Sequence, residues 1–190
     1  MDTVLGAALE VQRVLASRGE RFCIIGGLAV QRWGKPRATR DVDVTVLCPF
    51  GDEAAVADRL LSLFTPRIAD AREFALRNRV LLLRTEGGIP LDVAFGGLPF
   101  EERCVERSSE WKFSPENVLR TCSAEDLIVL KAFAGRPQDW VDVESVAIRR
   151  HRTLDWAQLF DELSPLVTLK ESPETLDRLR QLRENPRRRE

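Results

Sequence analysis

Residues 41–46 alternate between polar and aliphatic side chains, and this short segment restricts the possible folds more than any other part of the chain. Asp41, Asp43 and Thr45 alternate with valines. Successive side chains of a β-strand point to opposite faces of the sheet. The pattern therefore predicts a strand with one aliphatic face, whose other face carries two acids only a few ångströms apart.

The neighbouring segments predict further strands and amphipathic helices around this strand. Apolar residues recur every three or four positions where helices are expected, and short apolar runs bounded by glycines mark the strands. The predicted elements are a helix over 3–17, a strand over 22–25, a helix over 28–33, a helix over 53–64 and a hairpin of strands 80–84 and 89–95 around a turn at 86–88.

From residue 123 onwards the pattern is helical throughout. Ser123 and Asp126 have the spacing of a helix-capping box, and apolar residues then recur at helical intervals. We therefore predict an α+β fold in two parts, a core over residues 1–120 and a helical C-terminal segment over 121–190 that packs on this core.

The residue counts exclude several classes of enzyme. The chain has 190 residues, which suits one core with a helical extension, and its only histidine, His151, lies between two arginines. This nearly excludes Ser-His hydrolases, Cys-His proteases and zinc hydrolases. Any catalysis must instead use carboxylates, arginines, lysines or a metal ion held by oxygen atoms.

Charge and hydropathy predict a cytoplasmic protein that does not bind membranes. The 29 basic and 30 acidic residues nearly cancel, so no global field attracts the chain to nucleic acid or to anionic lipid. No apolar run approaches the roughly 20 residues that span a bilayer, and acids at positions 2 and 10 are unlike the positive start of a signal peptide. The four cysteines include no C-x-x-C pair, and we expect them to be buried, reduced thiols.

Three carboxylates occupy positions where a sheet would favour aliphatic side chains. Asp41 and Asp43 share one strand, and Asp92 interrupts the aliphatic second strand of the hairpin. Clustered like charges are costly unless a cation compensates for them. Mg²⁺ takes oxygen ligands and keeps coordination positions free for phosphate. The three acids are therefore candidate ligands of Mg²⁺, with a two-ion site as the preferred form.

The Gly26-Gly27 turn, between a strand and a helix, is a candidate phosphate site. Such a turn leaves backbone N–H groups unpaired and lets a phosphate approach the backbone. Together with the three acids, it has the layout that two-metal phosphoryl transfer requires. Arg37, Thr39 and Arg40 precede the first two acids, and the arginines are candidate ligands of phosphate oxygens.

These motifs together resemble the AbiEii/AbiGii-type toxins of the nucleotidyltransferase-fold superfamily. The similarity covers roughly residues 22–145 and rests on three motifs taken together. They are Gly26-Gly27-Leu28-Ala29, then Arg37-Ala38-Thr39-Arg40-Asp41-Val42-Asp43 with Asp92, then Lys131-Ala132-Phe133-Ala134-Gly135-Arg136 with Asp139 and Asp142.

The resemblance implies a nucleotidyltransferase-like mixed sheet with flanking helices and a Mg²⁺-dependent transfer of NMP from an NTP to a hydroxyl acceptor. It implies that Asp41, Asp43 and Asp92 bind the metal and that Asp92 helps to deprotonate the nucleophile. It further implies phosphate binding by the glycine turn and by Lys131, together with Asp139 and Asp142 near the nucleotide. Some members of the group modify tRNA, and many are encoded beside an antitoxin, which makes both of these candidate partners.

Two alternatives remain open from the sequence. The wider superfamily usually has Gly-Ser at the phosphate turn, whereas Gly27 offers no hydroxyl, so phosphate contact here would fall to backbone N–H groups. One alternative is a non-catalytic nucleotide-binding or antitoxin-partner module of the same fold. The other is nucleotidylation of a protein or a small molecule, which the near-neutral net charge favours slightly over RNA.

Overall fold

A computed structural model describes residues 3–184. Its helices are α1 (Val4–Ser17), α2 (Gly26–Trp33), α3 (Glu53–Leu61), α4 (Ala71–Asn78), α5 (Pro99–Glu106), α6 (Ala124–Ala134), α7 (Pro137–Arg150), α8 (Trp156–Lys170) and α9 (Glu174–Glu184). Its strands are β1 (Phe22–Ile24), β2 (Val42–Leu47), β3 (Thr65–Pro66), β4 (Val80–Arg84), β5 (Pro90–Gly96), β6 (Ser109–Lys112) and β7 (Val118–Thr121).

The described residues form two compact units. The sheet unit comprises residues up to Leu28 together with Ala38–Cys122, and the helical unit comprises Ala29–Arg37 and the residues from Ser123 onwards. Helix α2 begins in the sheet unit and ends in the helical unit. The division that the sequence predicts, at residue 120, stays a prediction.

The sheet unit is organised around a seven-stranded mixed sheet in the order β3-β4-β5-β2-β1-β7-β6. The two parallel neighbours β2 and β5 lie near its middle, with Asp43 opposite Asp92 in their register. β4 and β5 form the antiparallel hairpin that the sequence predicts. This topology brings two of the three predicted acids side by side.

One face of the sheet carries the hydrophobic core. The valines of β2 are fully buried, as are the inward residues of β4 and β5, and helices α1, α3 and α4 contribute small and aliphatic side chains to the same cluster. Burial of this apolar area is the main stabilising contribution to the unit. The opposite face is therefore where polar side chains of β2 and β5 can lie, and α5 contacts β1 and β2 there.

The helical unit is built from α6 to α9 and the short segment before Ala38. Helix α6 is preceded by the N-cap Ser123, whose hydroxyl accepts a hydrogen bond from the Asp126 N–H at 3.0 Å, as the predicted cap requires. It is followed by the C-cap Gly135, which has the positive φ of 73° that suits glycine. Helices α7 and α8 both contact α6.

The predicted α+β class with a mixed sheet is confirmed, and the sequence missed several elements. Helices α4 and α5 and the short strands β3, β6 and β7 were not predicted, because their segments are short and mostly polar. Strand β2 begins at Val42, so Asp41 lies one residue before the strand instead of inside it. None of the helices within residues 3–184 is both long and apolar enough to cross a membrane.

Candidate active site

Two of the predicted acids lie side by side on one face of the sheet. Asp43 of β2 and Asp92 of β5 are register partners in neighbouring parallel strands, so their side chains project from the same face. Both are half-buried. Asp41 precedes Asp43 by two residues. The alternation that creates the aliphatic core face therefore also places carboxylates on the other face.

Gly26 is required beside Asp43 for two reasons. Its φ is +60°, a backbone conformation that residues with a side chain rarely adopt. A Cβ at this position would also overlap the carboxylate and come within 2.7 Å of the Asp43 Cβ. Only glycine allows the start of α2 to approach the acid so closely.

Gly27 makes a similar close approach to Thr39. A Cβ on Gly27 would lie 2.7 Å from the Thr39 Cβ and would overlap its hydroxyl. This hydroxyl donates a hydrogen bond of 2.8 Å to Asp41 Oδ1. The absence of a side chain at position 27 thus makes room for a hydroxyl that positions Asp41, a contact that the sequence did not reveal.

Asp92 is paired with an arginine that the sequence analysis did not single out. Arg67 Nη2 lies 2.8 Å from Asp92 Oδ1, and both side chains are partly buried. The contact is a close ion pair, and the buried Oδ1 atom has no well-aligned hydrogen bond. Burial raises the pKa of Asp92 above its ordinary value; Arg67 lowers this pKa and the nearby Asp41 raises it.

The three acids are suited to a hard divalent cation, although they are not gathered as a ligand set. Within residues 3–184, no three Cys, His, Asp or Glu side chains are grouped closely enough to hold a metal ion as they stand. Asp41 is hydrogen-bonded to Thr39, and Asp92 is paired with Arg67. Their donors are nevertheless all carboxylate oxygens. This chemistry fits Mg²⁺.

A second set of predicted residues forms a charged network inside the helical unit. Lys131 Nζ lies 2.9 Å from Asp139 Oδ1 and 3.0 Å from Asp142 Oδ2, and both acids are almost fully buried. Arg136 Nε donates to Asp139 Oδ2 at 2.7 Å. Arg37 binds Asp142 through two hydrogen bonds of 2.8 Å each. Each buried carboxylate thus contacts two cations, one of which, Lys131, is shared by both.

This pairing determines the protonation of the two acids. For Asp139, desolvation is the largest single influence and raises the pKa, but hydrogen bonds from Arg136 and Lys131 outweigh it and hold the pKa below its ordinary value. For Asp142, desolvation is opposed in the same way by Arg37 and Lys131, and the pKa is again lowered. Both carboxylates are therefore ionised at neutral pH.

The predicted site residues consequently fall into two sets. The sheet unit holds Gly26, Gly27, Thr39, Arg40, Asp41, Asp43 and Asp92, and the helical unit holds Arg37, Lys131, Asp139 and Asp142. Arg40 is exposed. The residue that sequence reasoning missed is Arg67, and no spacing in the sequence connects it with Asp92.

Comparison with known families identifies the chain. The family model described as "Nucleotidyl transferase AbiEii toxin, Type IV TA system" matches residues 8–185. The chain belongs to this family. The AbiEii family assignment covers both units, and a comparison with curated proteins gives no match.

Solved structures show that the fold is that of nucleotidyltransferases. An antigenic nucleotidyltransferase-like protein from Paracoccidioides brasiliensis has a TM-score of 0.55 at 15% identity, with 93% of each chain covered. The solution structure of the antibiotic-resistance factor ANT(2'')-Ia also has a TM-score of 0.55. It is 16% identical in sequence, with 94% of this chain and 99% of the other chain covered. Its crystal structure in complex with adenylyl-2"-tobramycin gives 0.50 at 15% identity, covering 84% and 94%. Membership of the AbiEii family, whose model is that of a nucleotidyl transferase, makes this protein a nucleotidyltransferase.

Proposed function

We propose that this AbiEii family protein transfers a nucleotidyl group from an NTP to a hydroxyl acceptor, with release of pyrophosphate, in a reaction that depends on Mg²⁺ held by Asp41, Asp43 and Asp92. The observation that carries the proposal is the register pairing of Asp43 with Asp92 on one sheet face, beside a helix start that only glycine can form. When bound, two Mg²⁺ ions would activate the attacking hydroxyl and neutralise the triphosphate.

The protein residues have distinct roles in this proposal. Thr39 holds Asp41 in place through its hydroxyl. Gly26 and Gly27 are the first residues of helix α2. Their backbone N–H groups bind a phosphate, because N–H groups at a helix start have no partner within the helix. Asp92 helps to deprotonate the acceptor hydroxyl in this proposal, as the family motif implies.

The family motif supports nucleotide contacts by Lys131, Asp139 and Asp142. Lysine has three N–H donors, and two of those of Lys131 face the two acids. The family motif assigns the third donor to the nucleotide. Arg37 is proposed to orient Asp142, and Arg40, which is exposed, to bind phosphate from the surface.

An RNA such as tRNA is the proposed acceptor, supported by a basic cluster in the helical unit. The guanidinium groups of Arg32 and Arg150 lie over the Trp33 ring, 4.0 Å and 4.7 Å from its centroid. Lys35 and Arg149 are exposed nearby in the same unit, and Arg149 donates to the Gly34 carbonyl. Cations around an aromatic ring suit both the phosphates and the bases of RNA.

The experiment that tests the proposal is a label-transfer assay. The purified protein is incubated with Mg²⁺ and each α-labelled NTP in turn, with total tRNA, with cell-extract protein, with aminoglycosides or with no acceptor. Asp43→Asn is the inactive variant, and Asp58→Asn, an exposed acid paired with Arg72 in the same unit, is the matched control.

The outcomes separate the parts of the proposal. Label on tRNA that is absent with Asp43→Asn and present with Asp58→Asn supports an RNA nucleotidyltransferase and identifies its nucleotide. Label on protein or on an aminoglycoside would replace the RNA acceptor while preserving the chemistry. Full transfer by a folded Asp43→Asn would refute the assigned carboxylates. The family's type IV toxin–antitoxin description also leads us to propose a cognate antitoxin, which should suppress the transfer or its toxic effect.

A further inference from the structure

Arg67 lies at the end of a row of residues that crosses the sheet to the proposed metal ligands. Its backbone N–H donates to the Leu82 carbonyl at 2.9 Å, which continues the β3–β4 pairing by one residue. Leu82 is the register partner of Asp92, and Asp92 is the register partner of Asp43. Register partners share a sheet face, so this row presents an arginine, a leucine and two acids on the same side.

The side chain of Arg67 extends across strand β4 to reach Asp92 on β5. The backbones of the two residues are separated by two interstrand spacings, about 10 Å. The Nη2 atom of Arg67 lies 2.8 Å from Asp92 Oδ1. The arginine is 24% exposed and the acid 31%, so the pair is partly shielded from water. An ion pair in this setting is stronger than the exposed pairs elsewhere on the unit, such as Arg72 with Asp58.

The pair leaves Asp92 oriented but incompletely satisfied. Its Oδ1 is buried and lacks an aligned hydrogen bond, although a guanidinium group lies next to it. Arginine normally binds a carboxylate through two parallel hydrogen bonds, as Arg37 does with Asp142. The Arg67 contact is therefore mainly electrostatic, and it leaves the geometric preference of Oδ1 unmet.

We propose that Arg67 is a positioning residue that acts through Asp92. Its guanidinium supplies the positive charge beside the carboxylate before a divalent cation binds, and it competes with that cation for the same oxygen. This inference rests on the proposed function, because it requires Asp92 to be a cation ligand. Arg67 thereby sets the divalent-ion concentration at which the site fills and prevents the acids from repelling one another in the empty site.

The test measures Mn²⁺ binding to the full chain in the absence of nucleotide, by calorimetry and by electron paramagnetic resonance. Arg67→Met removes the charge, Arg67→Gln removes it while keeping a polar side chain, and Arg67→Lys retains it. Arg72→Met is the matched control, since it breaks an ion pair with an exposed acid of the same unit. The wild-type protein and Asp43→Asn complete the set.

Loss of a unit charge a few ångströms from a divalent ion changes affinity in water by a factor of roughly three to ten. We expect Arg67→Met and Arg67→Gln to bind Mn²⁺ more tightly by this factor, and Arg67→Lys and Arg72→Met to bind as the wild-type protein does. The Mn²⁺ concentration for half-maximal transfer should fall in the same two neutral variants.

Each other outcome is decisive. Unchanged or weaker binding by folded Arg67→Met and Arg67→Gln overturns the inference and leaves the proposed function standing. If Arg72→Met also binds Mn²⁺ more tightly, the change in affinity comes from the net charge of the protein and not from the position of Arg67. This result would also overturn the inference. If the wild-type protein shows no Mn²⁺ binding that Asp43→Asn removes, the proposed metal site is wrong and the role of Arg67 is lost with it.

Discussion

Replacing Gly26 with alanine tests whether the start of α2 must touch Asp43. The substitution has two costs. The first is the left-handed backbone, φ +60°, which costs an alanine about 1–2 kcal/mol. The second is steric, because the new Cβ would lie 2.5 Å from the Asp43 Cγ and 2.7 Å from its Cβ, closer than the 3.0 Å that real Cβ atoms respect.

The steric cost can be isolated with a matched variant. Gly88, in the turn between β4 and β5, also has a positive φ, +78°, but a Cβ there meets nothing within 4 Å. Gly88→Ala therefore incurs only the backbone cost. Overpacking of a close contact costs about 1–3 kcal/mol, so we expect Gly26→Ala to lose this much more free energy of unfolding than Gly88→Ala.

The assay combines urea unfolding with label transfer. The free energy of unfolding comes from linear extrapolation of the circular dichroism transition, and transfer is measured with saturating NTP. Because a misplacement of about 1 Å at a reacting group can cost about 100-fold in rate, Gly26→Ala should lose at least that much transfer, whereas Gly88→Ala should keep it. Equal stability of the two variants, together with retained transfer by Gly26→Ala, would refute this account of the contact.

Three further predictions concern the helical unit. Lys131→Met should lower the free energy of unfolding by about 3–5 kcal/mol in urea titrations, because it removes a shared cation from two buried carboxylates. Asp139 and Asp142 have lowered pKa values, so their stabilising contribution is present above about pH 4 and lost as the pH falls through the lowered values; Asp142→Asn should flatten the acid side of the stability profile measured by thermal unfolding. The double variant Arg32→Ala/Arg150→Ala should raise the KM for the RNA acceptor about tenfold or more while leaving the KM for NTP unchanged, since two phosphate-binding cations are lost.

Controls for these three predictions are available in the same unit. Lys170→Met removes a lysine that donates to helix-end carbonyls instead of to buried acids, and it should cost much less stability than Lys131→Met. Asp177→Asn removes an exposed acid and should leave the acid side of the profile unchanged. Arg180→Ala removes an exposed arginine with a local partner. A KM for RNA raised equally by Arg180→Ala would contradict a specific role for the basic cluster.

Much of the fold was predictable because it depends on local periodicity. The alternation at residues 41–46, the apolar runs on either side of the 86–88 turn and the cap at Ser123 each predicted an element that the structure contains. Helix α5 and strand β3 were not predictable in this way. Their segments are too short for a period to emerge, and they are ordered by contacts with the sheet.

In the candidate site, too, only the features that depend on local sequence could be predicted. The sequence predicted that Asp41 and Asp43 share a face, because residues two apart in a β-strand do, whereas the structure places Asp41 in a bend just before β2. The sequence did not reveal that Thr39 orients Asp41 or that Arg67 pairs with Asp92. It also suggested separate roles for Lys131 and Asp139, which the structure places in direct contact.

The sequence by itself determined the class of the fold, the strand that carries Asp43 and the glycine pair that begins α2, since each depends on the order of side chains along a few residues. Only the tertiary structure decided which cation neutralises which acid. A buried or clustered carboxylate must have a partner, but that partner is chosen by strand register and helix packing between positions far apart in the chain. Arg67 reaches Asp92 because two strand pairings put them on one face, and no pattern within either segment encodes that contact.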